Sequence, residues 1–334
     1  MKLSAKEMSA FLMYRVITPE TLRNVEKCFP ERYPISSSDE LEEYLNASLR
    51  RVQGKRYALA LSGGIDSAIL AKILPEGTKS YTFKCVVPGI EVTDETPIAS
   101  RYARECGLDN EVIEVFWDDF ENYAPILMCA KGAPIHSIEV QIYKAAIKAK
   151  EDGIDILIFG EAADAIYGGQ SNILSREWTI GEFIERYSYV MPYKVLREFE
   201  LPIEAITRWE HHGVIDPYTF MSHEYIQESV GSYLNAVKTA GIEYKLPYAE
   251  TKLNGKIDYS RIRAGENKYI VRDLFKKLYP NFEVPQKIPM PRPMNEWLKD
   301  WKGPKRKEFW DNCGLHLNGD QKWILWSLEQ YLNL

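Results

Sequence analysis

The chain has 334 residues, 45% of them hydrophobic and 27% charged, with 48 acidic against 42 basic side chains and a net charge of −6. That is a soluble, globular composition with room for one large or two ordinary domains; its apolar runs are far short of a membrane span, and its acidic balance disfavours nucleic acid, which calls for a basic face. The five cysteines (Cys28, Cys85, Cys106, Cys129 and Cys313) never form a C-x-x-C pair, which argues against a zinc site or a disulfide framework and for a reducing cytoplasm.

Residues 1–49 read as an N-terminal helical segment without the apolar core of a signal peptide, closing on the amphipathic stretch 41–49. Residues 50–334 read as one further domain. From Tyr57 the pattern turns to alternating strand and helix. Strands are expected at 57–61, 81–87, 111–116 and 154–159, with helices between them, among them 94–106 and 137–151, each followed by a glycine suited to end it. This order predicts an α/β fold, a parallel sheet sandwiched by helices. After Gly169 the strand signals fade. Segments 222–240, 266–278 and 320–332 have helical spacing and are expected to form a helical layer over one edge of the sheet. Pro285–Pro293 reads as a loop, the basic run 302–307 as a solvated one, and the tryptophan-rich tail as core of the helical layer.

Two loops carry the chemistry. The first, Ser62-Gly63-Gly64-Ile65-Asp66-Ser67, joins the strand 57–61 to the apolar segment 68–74. Its glycines allow a sharp turn and close approach of backbone to a ligand. The helix that follows presents unpaired N–H groups and a positive dipole end, so an anion, and above all a phosphate, is the natural occupant. It is not a Walker A loop, because no Gly-Lys-Ser/Thr stands at the required place. The second loop, Gly160-Glu161-Ala162-Ala163-Asp164-Ala165-Ile166-Tyr167-Gly168-Gly169, follows the strand 154–159. It places two carboxylates three residues apart, which are costly to bury without a cation or donor. In a parallel sheet both loops lie at the carboxyl ends of strands, where ligands bind. Leu61 and Cys85, near strand ends beside the first loop, read either as walls of a base pocket or as plain core.

The first loop resembles the PP-loop, Ser-Gly-Gly-x-Asp-Ser, of the ATP pyrophosphatases. With the second loop it makes the chain from about Leu41 onward similar to the synthetase domain of asparagine synthetase and to β-lactam synthetase. That family carries Gly-Glu-Gly-Ser-Asp-Glu-x-x-Gly-Gly after its fourth strand. Glu161, Asp164, Gly168 and Gly169 match; Ala162 and Ala163 replace its Gly-Ser pair, and Ala165 its second glutamate. Weaker echoes lie in Gly241–Tyr248, in Lys268-Tyr269-Ile270-Val271-Arg272-Asp273-Leu274-Phe275, and in Pro285-Gln286-Lys287, where the family places an active-site lysine.

The resemblance implies an adenine nucleotide alpha hydrolase-like fold and an ATP-dependent, AMP-forming carbon–nitrogen ligase. It would adenylate a small-molecule carboxylate and pass the acyl group to ammonia or an amine. ATP would lie on Leu61, Ser62, Gly63, Gly64, Asp66, Ser67, Cys85 and Gly160. Asp66 and Asp164 would share Mg²⁺. Glu161 would orient the amine or accept its proton, and Lys287 would meet the charge of the transition state. The family's glutaminase begins with a cysteine at position two; here Lys2 stands there, so the nitrogen is expected as free ammonia, a substrate amine, or ammonia from a separate glutaminase subunit. Two other readings stay open: a non-catalytic nucleotide-binding regulator, favoured by the three alanines, and another PP-loop ligase acting on a sugar acid or nucleotide-like substrate.

Overall fold

The apolar run at 57–61 becomes the middle strand of a five-stranded parallel sheet. In chain order the strands are β1 (Tyr33–Ile35), β2 (Tyr57–Ala60), β3 (Lys79–Cys85), β4 (Asp109–Val115), β5 (Ile156–Ile158), β6 (Trp178–Thr179), β7 (Glu210–His211), β8 (Val214–Ile215), β9 (Glu243–Lys245) and β10 (Thr251–Leu253). The structure is a computed structural model that describes residues 2–17, 29, 31–286 and 290–334. The main sheet has the order β4-β3-β2-β5-β9, and every pairing in it is parallel. Parallel neighbours cannot be joined by a tight hairpin, so helices cross between them. They are Ile65–Ile73, Thr96–Glu105 and the pair Trp117–Lys131 and Ile138–Glu151. β2 is buried almost throughout, as expected for a strand with neighbours on both sides and helices on both faces.

The order of the strands fixes where a ligand can sit. From β2 the chain steps outward to β3 and β4, then returns to lay β5 on the other side of β2. The reversal between β2 and β5 opens a crevice at their carboxyl ends. Both loops singled out in the sequence leave from these two ends.

The four expected strands are present with shifted ends. The fading of strand signals after Gly169 does not hold for the structure. β9 completes the main sheet as an edge strand, and its Glu243, Tyr244 and Lys245 are partly or fully exposed, so it lacks the apolar run of a buried strand. β6, β8 and β7 make a small antiparallel sheet over a separate apolar cluster that includes Trp178, Phe183, Tyr187 and Phe220. Two-residue strands are too short to leave a period in the sequence.

The C-terminal helix, Gly319–Asn333, opens with a reciprocal cap between Asn318 and Gln321. It docks through Trp323, whose indole N–H donates to the Ile135 carbonyl at 3.2 Å, and Ser327, whose hydroxyl meets both the carbonyl and the N–H of Ile135 at 2.9 Å. Trp117, Phe120, Trp297, Trp323 and Trp326 form one ring cluster, so most of the tail tryptophans are core; Trp310 is exposed, under the Arg197 guanidinium. No helix among the described residues is long and apolar enough to cross a membrane.

The N-terminal helix, Ala5–Tyr14, begins with a capping box between Ser4 and Glu7 and sends Met8, Phe11 and Leu12 into the main core. The next residue, Arg15, takes a left-handed φ of 60° and turns its guanidinium inward. There it donates to Glu228 Oε2 at 2.9 Å and to Tyr189, and meets Nε2 of His136. Burial, followed by the charge of Arg15, drives the His136 pKa well below its usual value, so the imidazole is neutral and accepts from Arg15. Glu228 is buried too, and removing Arg15 strands its charge. Arg15→Ala is therefore expected to cost about 3–5 kcal/mol, read as a lowered urea midpoint. Lys55→Ala, at an exposed pair with Glu243, is expected to stay within about 1 kcal/mol of wild type. Equal midpoints for both variants would show that Arg15 does not hold this segment.

Candidate active site

β2 ends at Ala60, and the Ser62–Ser67 turn leads into the helix Ile65–Ile73. The turn is braced by its own hydroxyls. Ser67 Oγ accepts the Ser62 N–H at 3.0 Å and lies 2.9 Å from Ser62 Oγ, which accepts the Gly64 N–H at 3.2 Å. The Gly63 N–H donates to Oε2 of Glu95 at 2.9 Å. Gly64 is the helix N-cap and has no side chain to close it, so the positive end of the helix faces the crevice uncapped. Gly160, at the end of β5, lies directly against this turn. A Cβ there would come within 2.9 Å of Ser67 N and 3.0 Å of Asp66, so only glycine lets the two strand ends approach this closely.

The two loops meet on a third residue. Lys268 places its Nζ 2.7 Å from both oxygens of Asp66 and 2.9 Å from Oδ1 of Asp164. Burial alone would lower the Lys268 pKa, but Asp164 and Asp66 outweigh it and raise it, so the ammonium stays charged. Lys268 itself has a left-handed φ of 52°, at the start of the helix Tyr269–Leu278. Backbone strain of this kind clusters at functional sites. Gly169 is needed for the same arrangement, since a Cβ there would lie 2.0 Å from Asp164 Oδ1. The Tyr248 hydroxyl donates to the Asp66 carbonyl at 3.1 Å and steadies the helix start from below.

Asp66 and Asp164 thus reach one point in space, as a shared divalent ion would require. Among the described residues no third acidic, histidine or cysteine side chain joins them. Two carboxylates with the remaining positions left to phosphate and water suit Mg²⁺, which binds through one or two protein oxygens and keeps its hydration. The donor set fits the ion, and Lys268 marks where its charge would fall.

The crevice is walled by both loops and by Phe83, Ile98, Phe159, Tyr233, Lys268, Arg272 and the segment Val284–Gln286 with Met290. Leu61, Ser62, Gly63, Gly64, Asp66, Ser67, Gly160, Glu161 and Asp164 all line it. Cys85 does not. Its thiol lies in the protein between the Gln141 amide at 3.0 Å and the Pro291 carbonyl at 3.2 Å, and Phe83 supplies the wall instead. Glu161 accepts from the Ser229 hydroxyl and from Tyr233, both on the helix Ile226–Ala240. Lys287 lies outside the described residues, although its neighbour Gln286 faces the crevice.

Four residues of the site were not singled out from the sequence for a role there: Lys268, Glu95, Ser229 and Tyr233. Lys268 and Arg272 both fall in the stretch Lys268–Phe275 that echoes the resembled family, and that echo was available as a signal. Glu95 and Ser229 lie in stretches with no pattern that marks them.

Residues 40–306 match the asparagine synthase family. The chain belongs to that family. A Methanocaldococcus jannaschii protein named "Putative asparagine synthetase (glutamine-hydrolyzing) 1" is 24% identical over 281 residues, 74% of this chain and 48% of that protein. The chain therefore spans about half the length of this curated relative. Solved structures match as well, three of which follow. An NH3-dependent NAD synthetase from Campylobacter jejuni is 17% identical over 39% of this chain and 58% of its own, with a TM-score of 0.26. An NMN synthetase from Francisella tularensis is 12% identical over 75% and 96%, with a TM-score of 0.28. A U34-tRNA thiolase from Methanococcus maripaludis is 16% identical over 79% and 84%, with a TM-score of 0.28.

Within this chain, the alanine at 162 stands where the resembled pattern has glycine, and the backbone shows the consequence. Ala162 has φ 78°, a left-handed conformation that disfavours any Cβ. Ala162→Gly relieves that strain while loosening the unfolded chain, for a net stabilisation of up to about 1 kcal/mol. A raised denaturation midpoint checks it; a lowered one would contradict the left-handed geometry at this turn.

Proposed function

We propose that this protein is an ATP-dependent ligase that activates a small carboxylate as its adenylate and transfers the acyl group to ammonia or an amine, releasing AMP and pyrophosphate. The observation that carries this reading is the meeting of an uncapped helix N-terminus and two carboxylates on one cation, at the reversal of a parallel sheet. Family membership supports ATP use and carbon–nitrogen bond formation.

In this reading the diphosphate end of ATP lies on the Ser62–Ser67 turn and the start of the helix Ile65–Ile73. Asp66 and Asp164 hold Mg²⁺, which, when bound, neutralises charge on the departing pyrophosphate. Lys268 sits within reach of the same oxygens, and Arg272 lies one turn further along its helix. The base packs against the apolar wall of Leu61, Phe83 and Ile98. A carboxylate oxygen of the substrate attacks the α-phosphorus, and the bond to the β-phosphate oxygen breaks. The amine then attacks the acyl carbon, the bond to AMP breaks, and a proton leaves the nitrogen. Glu161, fixed by Ser229 and Tyr233, is placed to orient the amine or take that proton. Holding both partners in one crevice removes much of the entropic barrier. Lys287 is proposed to enter from the Pro285–Pro293 segment. The nitrogen arrives as free ammonia, as a substrate amine, or from a separate glutaminase.

The product set tests the reaction. With ATP, Mg²⁺, ammonium and a panel of small carboxylates, AMP and pyrophosphate are expected in equal amounts. ADP and phosphate in their place would overturn adenylation. Asp66→Asn and Asp164→Asn each remove a charge from the shared cation site and are expected to lower kcat/KM by about 10²–10³-fold, with unchanged circular dichroism. ATP binding without turnover across the panel would favour a regulatory subunit.

A further inference from the structure

One carboxyl group in the crevice has no part in the reaction described above. Glu95 precedes the helix Thr96–Glu105 and is only 3% exposed. Its Oε2 takes the Gly63 N–H, and its Oε1 makes no hydrogen bond with the described residues while the side chain lines the crevice. The fit is close, since a Cβ on Gly63 would lie 3.2 Å from Glu95 Cβ. Main-chain N–H groups of such a turn are the donors that hold a phosphate. We infer that Glu95 is a carboxyl stand-in on the phosphate turn, competing with a polyphosphate for the Gly63 N–H, so that the ligand binds together with a proton at Glu95. The inference rests on reading the turn as a polyphosphate cradle.

The charge argument has one direction. An ionised Glu95 repels an incoming polyphosphate across a poorly solvated gap. A protonated Glu95 does not, and its O–H can donate to a phosphate oxygen. Burial raises the Glu95 pKa, the Gly63 N–H opposes this, and Asp94 adds to the rise, leaving it at about 7. The groups that face it are known. Asp94 beside it is paired with Lys84. Cys85 at the end of β3 and Tyr233 both feel its charge. Across the crevice stand Glu161 and the Asp66–Lys268–Asp164 group, with Arg272 beyond. Since the bound form is the protonated one, affinity is fully expressed below pH 7 and falls as pH rises, by up to about tenfold per unit.

Calorimetric titration of ATP and, separately, inorganic pyrophosphate into the protein tests this, at pH 6, 7 and 8.5 in buffers of different ionisation enthalpy. Wild type is expected to take up a proton on binding at pH 8.5, beyond the ligand's own uptake as measured with Glu95→Gln. That variant keeps an acceptor for the Gly63 N–H without the charge. It should bind at least about tenfold more tightly than wild type at pH 8.5 and equally at pH 6. Glu95→Ala should shift affinity in the same direction, so a misfolded Gln variant does not decide the matter. ATP binding with the same affinity and proton uptake in wild type and both variants at pH 8.5 overturns the role of Glu95 and leaves the cradle standing. No binding of either ligand by any of the three proteins overturns the cradle and the role of Glu95 together.

Discussion

Two carboxylates on a single buried ammonium are the constraint around which this crevice is built. Asp66, Asp164 and Lys268 come from three different segments, and none of them would stay charged in that position alone. Bringing them together dictates much of the local backbone. Gly160 must lack a Cβ so that β5 can approach the turn after β2, and Gly169 must lack one so that Asp164 has room. Lys268 accepts a left-handed backbone to aim its side chain, and Ala162 accepts another to turn the second loop toward the first. The strain sits where the charges converge, which is the usual signature of a site that the rest of the fold holds in place.

A second buried charge group stands behind the first. Glu228 and Ser229 are adjacent on the helix Ile226–Ala240 but face different neighbours. Ser229 bonds Glu161 in the crevice, while Glu228 bonds Arg15 from the N-terminal segment. Before this helix the chain makes a π-helical stretch, Met221–Tyr225, an irregularity often found next to functional sites. The N-terminal helix thereby packs against the structure that positions Glu161, although it lies before residues 40–306 that match the family. Its contribution to the site is carried by packing and one ion pair, without contact with the crevice itself.

The sequence made the first-order geometry legible because the relevant signals are local. The strand–turn–helix order around Ser62–Ser67 spans only residues 57–74 and the strand before Gly160 only 154–159, and the rule for parallel sheets then puts both loops at the carboxyl ends of strands. What escaped is what depends on pairing across the chain. β9 is polar because it is an edge, so it lacks the apolar run that revealed β2. Lys268 lies about 200 residues from Asp66, and nothing near it says which carboxylates it will meet. Cys85 read either as a wall of the base pocket or as plain core because it lies near a strand end, and only the position of Pro291 and Gln141 shows that its thiol is turned into the protein. Glu95 was invisible for the opposite reason: an acid before a Thr-Pro helix start is common, and its meaning comes only from Gly63 lying beside it.

The charges that line the crevice also limit what it can receive. Among the described residues they are Asp66, Asp164, Glu161 and Glu95 against Lys268 and Arg272. A polyphosphate brings several further negative charges into a partly buried space, where repulsion is far less screened than in water. The Asp66–Lys268–Asp164 group cannot supply the balance, because its one ammonium is already shared by two carboxylates. Positive charge has to arrive with the ligand or negative charge has to leave before it. In the proposed reading a divalent ion on Asp66 and Asp164 would do the first, and protonation of Glu95 the second. The alanine at 165 bears on the same balance. It is buried, and an ionised side chain there, where the resembled pattern has glutamate, would require a further counter-charge. With a methyl group at this position the chain adds no further acid to the four that already line the crevice.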